Sequence, residues 1–176
     1  MRAFLLSVAL LFVAPSVRAD DAVLIEAVAA RVGDNEIFVS SVRARMHGTF
    51  ANAAAAKQAM HKALESIIDA MLIAKRAQEL HVDVTSDEIK RARDAMANRS
   101  GLNDAELVAA IRKEGMTDAA YDAILGEQIL EGKVLRLDIG NDARPSNPDE
   151  LEAWVTKRRD ALLQRLRADA LVEVRL

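Results

Sequence analysis

Apolar residues at Met60, Leu64, Ile67, Ile68, Met71 and Leu72 recur with the spacing of one helix face, and this stripe makes Lys57 to Leu80 a long amphipathic helix. Thr85-Ser86-Asp87-Glu88 then starts another, with Thr85 as N-cap, Glu88 reaching back to it, and Ile89, Ala92 and Met96 continuing an apolar stripe. Gly101 ends that helix. Asn103 and Glu106 cap a third, which carries Leu107 and Ile111 and stops at Gly115. Thr117 opens a fourth, in which Tyr121, Ile124, Leu125 and Gln128 share a face and Ile129, Val134 and Leu135 extend the apolar side towards Leu137. GNDARPSNPDE interrupts the periodicity as a linker. Within it Asn147-Pro148-Asp149-Glu150 signals a last helix, running to about Ala168 with Leu151, Trp154, Val155, Leu162 and Leu166 inward.

Two segments carry a different period. Glu26 to Val32 alternates as a strand does, Gly33-Asp34-Asn35 is a tight-turn signal, and Glu36 to Val39 returns as a second strand. The chain closes on a short β-type run, Leu171 to Leu176. A lone strand cannot satisfy its own N–H and C=O groups, and a lone hairpin is marginal, so the two segments require each other. The expected fold is mainly α, with about six helices and a small antiparallel sheet formed by the N-terminal hairpin and the C-terminal strand. The expected domain spans 20–176: hairpin and helices over 22–139, a linker over 140–147, and a closing helix and strand over 148–176. The Ala51 to Ala56 tract reads as the approach to a helix.

The first nineteen residues stand apart from this fold. MRAFLLSVALLFVAPSVRA has an early Arg2, an apolar run from Ala3 to Ala14, and Val17 and Ala19 at the −3 and −1 places, the pattern of a secretory signal peptide. Its apolar run is too short to span a membrane, and no later stretch is long enough, so stable membrane insertion is not expected. All 27 acidic residues and 22 of the 24 basic ones lie beyond Ala19, an acidic balance that argues against nucleic-acid binding. With no cysteine, an exported fold rests on its core alone, and neither disulfide nor lipid anchor is available.

Catalytic patterns do not emerge. His47 and His61 lack metal-ligand spacing, and His81 lies near a helix end. There is no Gly-rich phosphate loop, no G-x-S-x-G elbow and no cysteine nucleophile. The acidic pairs Asp87-Glu88 and Asp149-Glu150 sit at helix starts, where capping and the macrodipole account for them. Lys157-Arg158-Arg159 reads as a solvated helix face. Neither a cofactor nor a metal is called for. What remains is adaptable apolar surface: methionine is polarisable and flexible, suited to a surface that accepts many sequences. Met60, Met71 and Met96 fall at helical core spacing. Met46, Phe50 and Met116, at helix ends or in the RMHGTFAN connector, together with Tyr121, are the candidate binding residues.

VAARVGDNEIFVSSVRARM resembles the opening of the SurA-type periplasmic chaperones and the related PrsA-type foldases, with Val28, Val32, Gly33, Asn35, Ile37 and Ser40-Ser41-Val42 at the matching places. ALESIIDAMLIAKRAQELHVDVTSDEI is similar to that family's next signature, although His81 stands where the family often has glycine. LNDAELVAAIRKEGMTDAAYDAILGEQIL and WVTKRRDALLQRLRADALVEVRL resemble its following helix pair and its returning C-terminal segment. The family usually carries parvulin-type prolyl isomerase domains between Leu137 and Pro148, where this chain has ten residues, so isomerase activity is not implied. The resemblance implies a periplasmic, ATP-independent holdase, not an enzyme, whose partners are unfolded polypeptides or outer-membrane protein precursors. The alternative is a dedicated interaction or maturation subunit for one secreted or envelope partner. A terminal helix and strand on a short linker also allow a homo-oligomer by domain swapping.

Overall fold

The computed structural model describes residues 26–46 and 48–175; the segment read as a signal peptide, His47 and Leu176 lie outside them. In chain order the elements are β1 (Val28–Val32), β2 (Asn35–Phe38), α1 (Val39–Arg45), α2 (Ala53–Glu79), α3 (Ser86–Ser100), α4 (Asp104–Lys113), α5 (Asp118–Ile139), α6 (Pro148–Asp169) and β3 (Val172–Val174). The fold is mainly α, with one antiparallel sheet in the order β2-β1-β3. The C-terminal strand thus lies beside the N-terminal hairpin, pairing Val32 with Val172 and Ala30 with Val174.

Local chemistry sets the element ends. The hairpin turns on Gly33-Asp34 alone, so Asn35 belongs to β2, and Val39 opens α1 rather than ending the strand. Thr85 with Glu88, and Asn103 with Glu106, form reciprocal capping boxes. Asn52 accepts the Ala55 amide, which makes most of the alanine tract the first turn of α2. Asn147 accepts the Asp149 amide with Pro148 at the first helical position.

Three apolar clusters follow from the stripes. In the first, Leu64, Ile68 and Leu72 of α2 pack under Ala30, Val32 and Ile37 of the hairpin, with Val172 and Leu166 closing from the C-terminal end. The second joins Ile73 and Ala77 of α2 to Val134, Leu135 and Ile139 of α5 and to Leu162 and Leu163 of α6. A small third cluster, Ala97, Leu107 and Ile111, ties α3 to α4. One inward assignment on α6 needs correction, and one buried residue is added. Val155 is exposed, because it shares Leu162's face but lies two turns nearer the helix start, where only Trp154 reaches the core. Leu163 is buried instead.

Candidate groove between the first and fifth helices

The stripe of α2 is wider than the core it serves. Leu64, Ile68 and Leu72 are spent on the core, while the half-buried Ile67 and Met71 flank them on the side turned towards α5. Ala70 and Ala74 lie on that same side, and Ala120, Ala123 and Ile124 face them from α5. Alanines on both walls leave side-chain volume unfilled, and a groove of about 1240 Å³ results. Such a volume exceeds the ~300–1,000 Å³ of ordinary small-ligand clefts. The connector between α1 and α2 forms one end, where Met46 and Phe50 line the groove. Phe50 keeps 38% of its surface exposed.

Charges rim this hollow without entering the core; among the described residues no charged or polar residue is buried. Helices α1 and α5 scarcely touch, but Arg45 of α1 reaches across to Glu127 of α5 with two hydrogen bonds of 3.0 and 2.5 Å. Farther along, Arg159 of α6 donates to Glu131 of α5 and lies 3.8 Å from Asp69 of α2. That bond to Glu131 holds the Arg159 guanidinium above its ordinary pKa. Arg167 bonds Glu65 at 2.7 Å and Asp69 at 2.5 Å, so the same acidic face of α2 is held from α6 as well. Each of these rim acids thereby has an arginine partner, and His61 and Lys62 are further groove residues.

The four candidate binding residues separate into two pairs. Met46 and Phe50 stand at the groove; Met116 and Tyr121 pack against the third cluster, at the tip made by α3, α4 and the start of α5. There Arg93 lies 5.9 Å from the centre of the Tyr121 ring. The expected common face of α5 is divided too: Leu125 is buried, whereas Ile124 and Gln128 line the groove. Of the methionines at core spacing, Met60 and Met71 pack against the first cluster, and Met71 also reaches the groove. The residues that sequence reasoning missed are the walls themselves. Ala59, Ala63, Ala70 and Ala74 fall at helical spacing on α2, and that run of small residues beside an apolar stripe was the available signal.

The groove presents apolar side chains between ion-paired rims. Among the described residues no group of His, Cys, Asp or Glu could hold a metal ion. No helix among them is long and apolar enough to cross a membrane. No curated protein matches the chain. The family model of SurA-like N-terminal domains matches residues 1–135, from the start of the chain through most of α5, and so takes in every groove residue except Arg159. With a family match over most of its length, the chain belongs to the family of SurA-like N-terminal domains.

Proposed function

We propose that this chain is an exported, ATP-independent holdase that takes unfolded polypeptides, outer-membrane protein precursors among them, into the groove between α1, α2 and α5. The observation that carries the reading is the groove itself, with apolar side chains on its floor and end and ion pairs on its rim. The family is chaperone-like, and its N-terminal domain is the non-catalytic part, which supports binding over catalysis. Ten residues, 138–147, lie where related chains carry isomerase domains, so prolyl isomerase assays are expected at background.

The chemistry suits reversible capture. Apolar contact is non-directional and tolerant of sequence, and methionine adapts its shape to what it meets. Ordering an unfolded client opposes binding, which keeps affinity modest and release spontaneous without a nucleotide.

The test is suppression of aggregation of a urea-unfolded outer-membrane protein at equimolar chaperone. Replacing Met46 and Phe50 together by Ser removes roughly 1.5–3 kcal/mol of burial per side chain if both are covered by client, so client affinity should fall at least ten-fold at unchanged helix content. Met116→Ser, at the α3–α4 tip, should leave client affinity as it was. Full protection by the Met46/Phe50 double variant would refute the groove assignment. Recovery of one dominant folded partner in a pull-down, in place of mixed precursors, would favour the adaptor reading.

A further inference from the structure

Strand β3 is the outer strand of the sheet, and among the described residues its second edge faces no other strand. Two bonds fix which of its groups face that open side. The Gly33 amide donates to the Leu171 carbonyl at 2.8 Å, and the Arg175 amide donates to the Ala29 carbonyl at 2.8 Å. In an antiparallel ladder each residue turns both main-chain groups to one side, and its neighbours turn theirs to the other. Leu171, Glu173 and Arg175 therefore bond towards β1, and the N–H and C=O groups of Val172 and Val174 point outward.

Charges alternate across the solvent face of the sheet. Glu36, Arg31 and Glu173 stand abreast on β2, β1 and β3, with Arg31 donating to Glu36 at 2.6 Å. A fourth strand that continued this row would place a cation beside Glu173. The chain carries one two residues along the same face: Arg175, which bonds Glu173 within its own strand at 3.3 Å. On the other face Val174 lies opposite the buried Ala30, yet 46% of its surface is exposed.

We infer that this edge pairs with the same edge of a second copy of the chain, antiparallel about a two-fold axis at Val174. The outward groups restrict the choice of register. Centring on Glu173 sets two carboxylates face to face, which is destabilising, and centring on Val172 sets Glu173 against an apolar Leu171. Centring on Val174 alone places Glu173 opposite Arg175 of the second copy, twice over by symmetry. The two Val174 residues then exchange N–H···O bonds, and their exposed side chains cover each other. A strand this short buries well under the ~1,000 Å² of a stable interface, so the pairing is weak and rapidly reversible. It does not depend on what the groove binds.

Sedimentation equilibrium of the purified chain, taken up to roughly 1 mM because a small interface gives a high Kd, reads the association directly. The expected result is a monomer–dimer equilibrium. Val174→Pro deletes an outward N–H and no bond to β1, a place where an edge strand tolerates proline, so the variant should be monomeric with an unchanged melting temperature. Arg175→Glu sets like charges opposite each other and should weaken association roughly ten-fold, and equimolar mixing with Glu173→Arg should restore it. A wild-type chain that stays monomeric throughout overturns the proposal. So does a dimer indifferent to both Val174→Pro and Arg175→Glu. If the wild type is monomeric while Val174→Pro weakens capture of an unfolded polypeptide, the edge serves clients and self-pairing is refuted.

Discussion

His81 holds φ at +54°, in the left-handed region that side chains with a Cβ rarely adopt. The geometry of the α2 end demands it: the Val82 amide donates to the Ala77 carbonyl and the His81 amide to that of Gln78, the Schellman pattern. Gly101 and Gly115 occupy the equivalent position after α3 and α4 at no such cost. His81→Gly should therefore raise stability by about 0.5–1 kcal/mol, the relieved strain less the added freedom of the unfolded chain, and calorimetry would show the melting temperature rising. Glu88 illustrates the electrostatic side. Its carboxylate accepts from Lys133 at 2.7 Å and from the Thr85 amide at 2.9 Å, and these bonds pull its pKa from 4.5 down to about 2. A depressed carboxylate stabilises the fold above its unfolded pKa, and that contribution is lost as pH falls from about 4.5 through about 2. Glu88→Gln should flatten the decline of melting temperature across that window, and an unchanged slope would show that Glu88 is no part of the acid response.

Among the elements, one side chain, Arg93, bridges all three helices of the α3–α4 tip. Arg93, only 15% exposed, donates to Asp122 at 2.8 Å and to Asp118 at 3.3 Å on α5, and lies 3.5 Å from Asp104 at the start of α4. It thereby joins α3 to the N-terminal turns of its two neighbours. Helical periodicity locates each of these helices but is silent on the link, because its partners lie on other elements. Arg93→Met keeps most of the stem volume and deletes the bonds, which should cost about 1–3 kcal/mol locally. Hydrogen exchange should accelerate in α3 and α4 while amides of α2 and α6 keep their protection; uniform acceleration would mean the tip and the body unfold as one.

For the whole molecule, the decisive elements are the last two. Helix α6 contributes Leu162 and Leu163 to the second cluster, and β3 completes the sheet that covers the first. A chain ending at Asn147 would lose both, leaving the sheet two-stranded with the β1 edge unpaired and the second cluster without Leu162 and Leu163. Such a truncation should lose the cooperative melt by circular dichroism and bind a dye for exposed apolar surface. A sharp transition near the wild-type temperature would mean that the segment over 26–147 folds without its closure.

The elements and their caps were legible in the sequence because they rest on local rules: apolar spacing, capping boxes and turn residues act within a few positions of one another. Even the pairing of the two chain ends could be read, since an unsatisfied strand has few partners in a helical chain. The sites of Met46 and Phe50 could be named as connector residues. That Met116 and Tyr121 belong to a separate tip cluster could not, nor could the alanine walls of the groove or the reach of Arg45 to Glu127. Those depend on how far apart α2 and α5 stand and on which turn of α6 meets the core. Such distances are set by side-chain volumes packed between elements distant in the chain, and only the tertiary structure decides them.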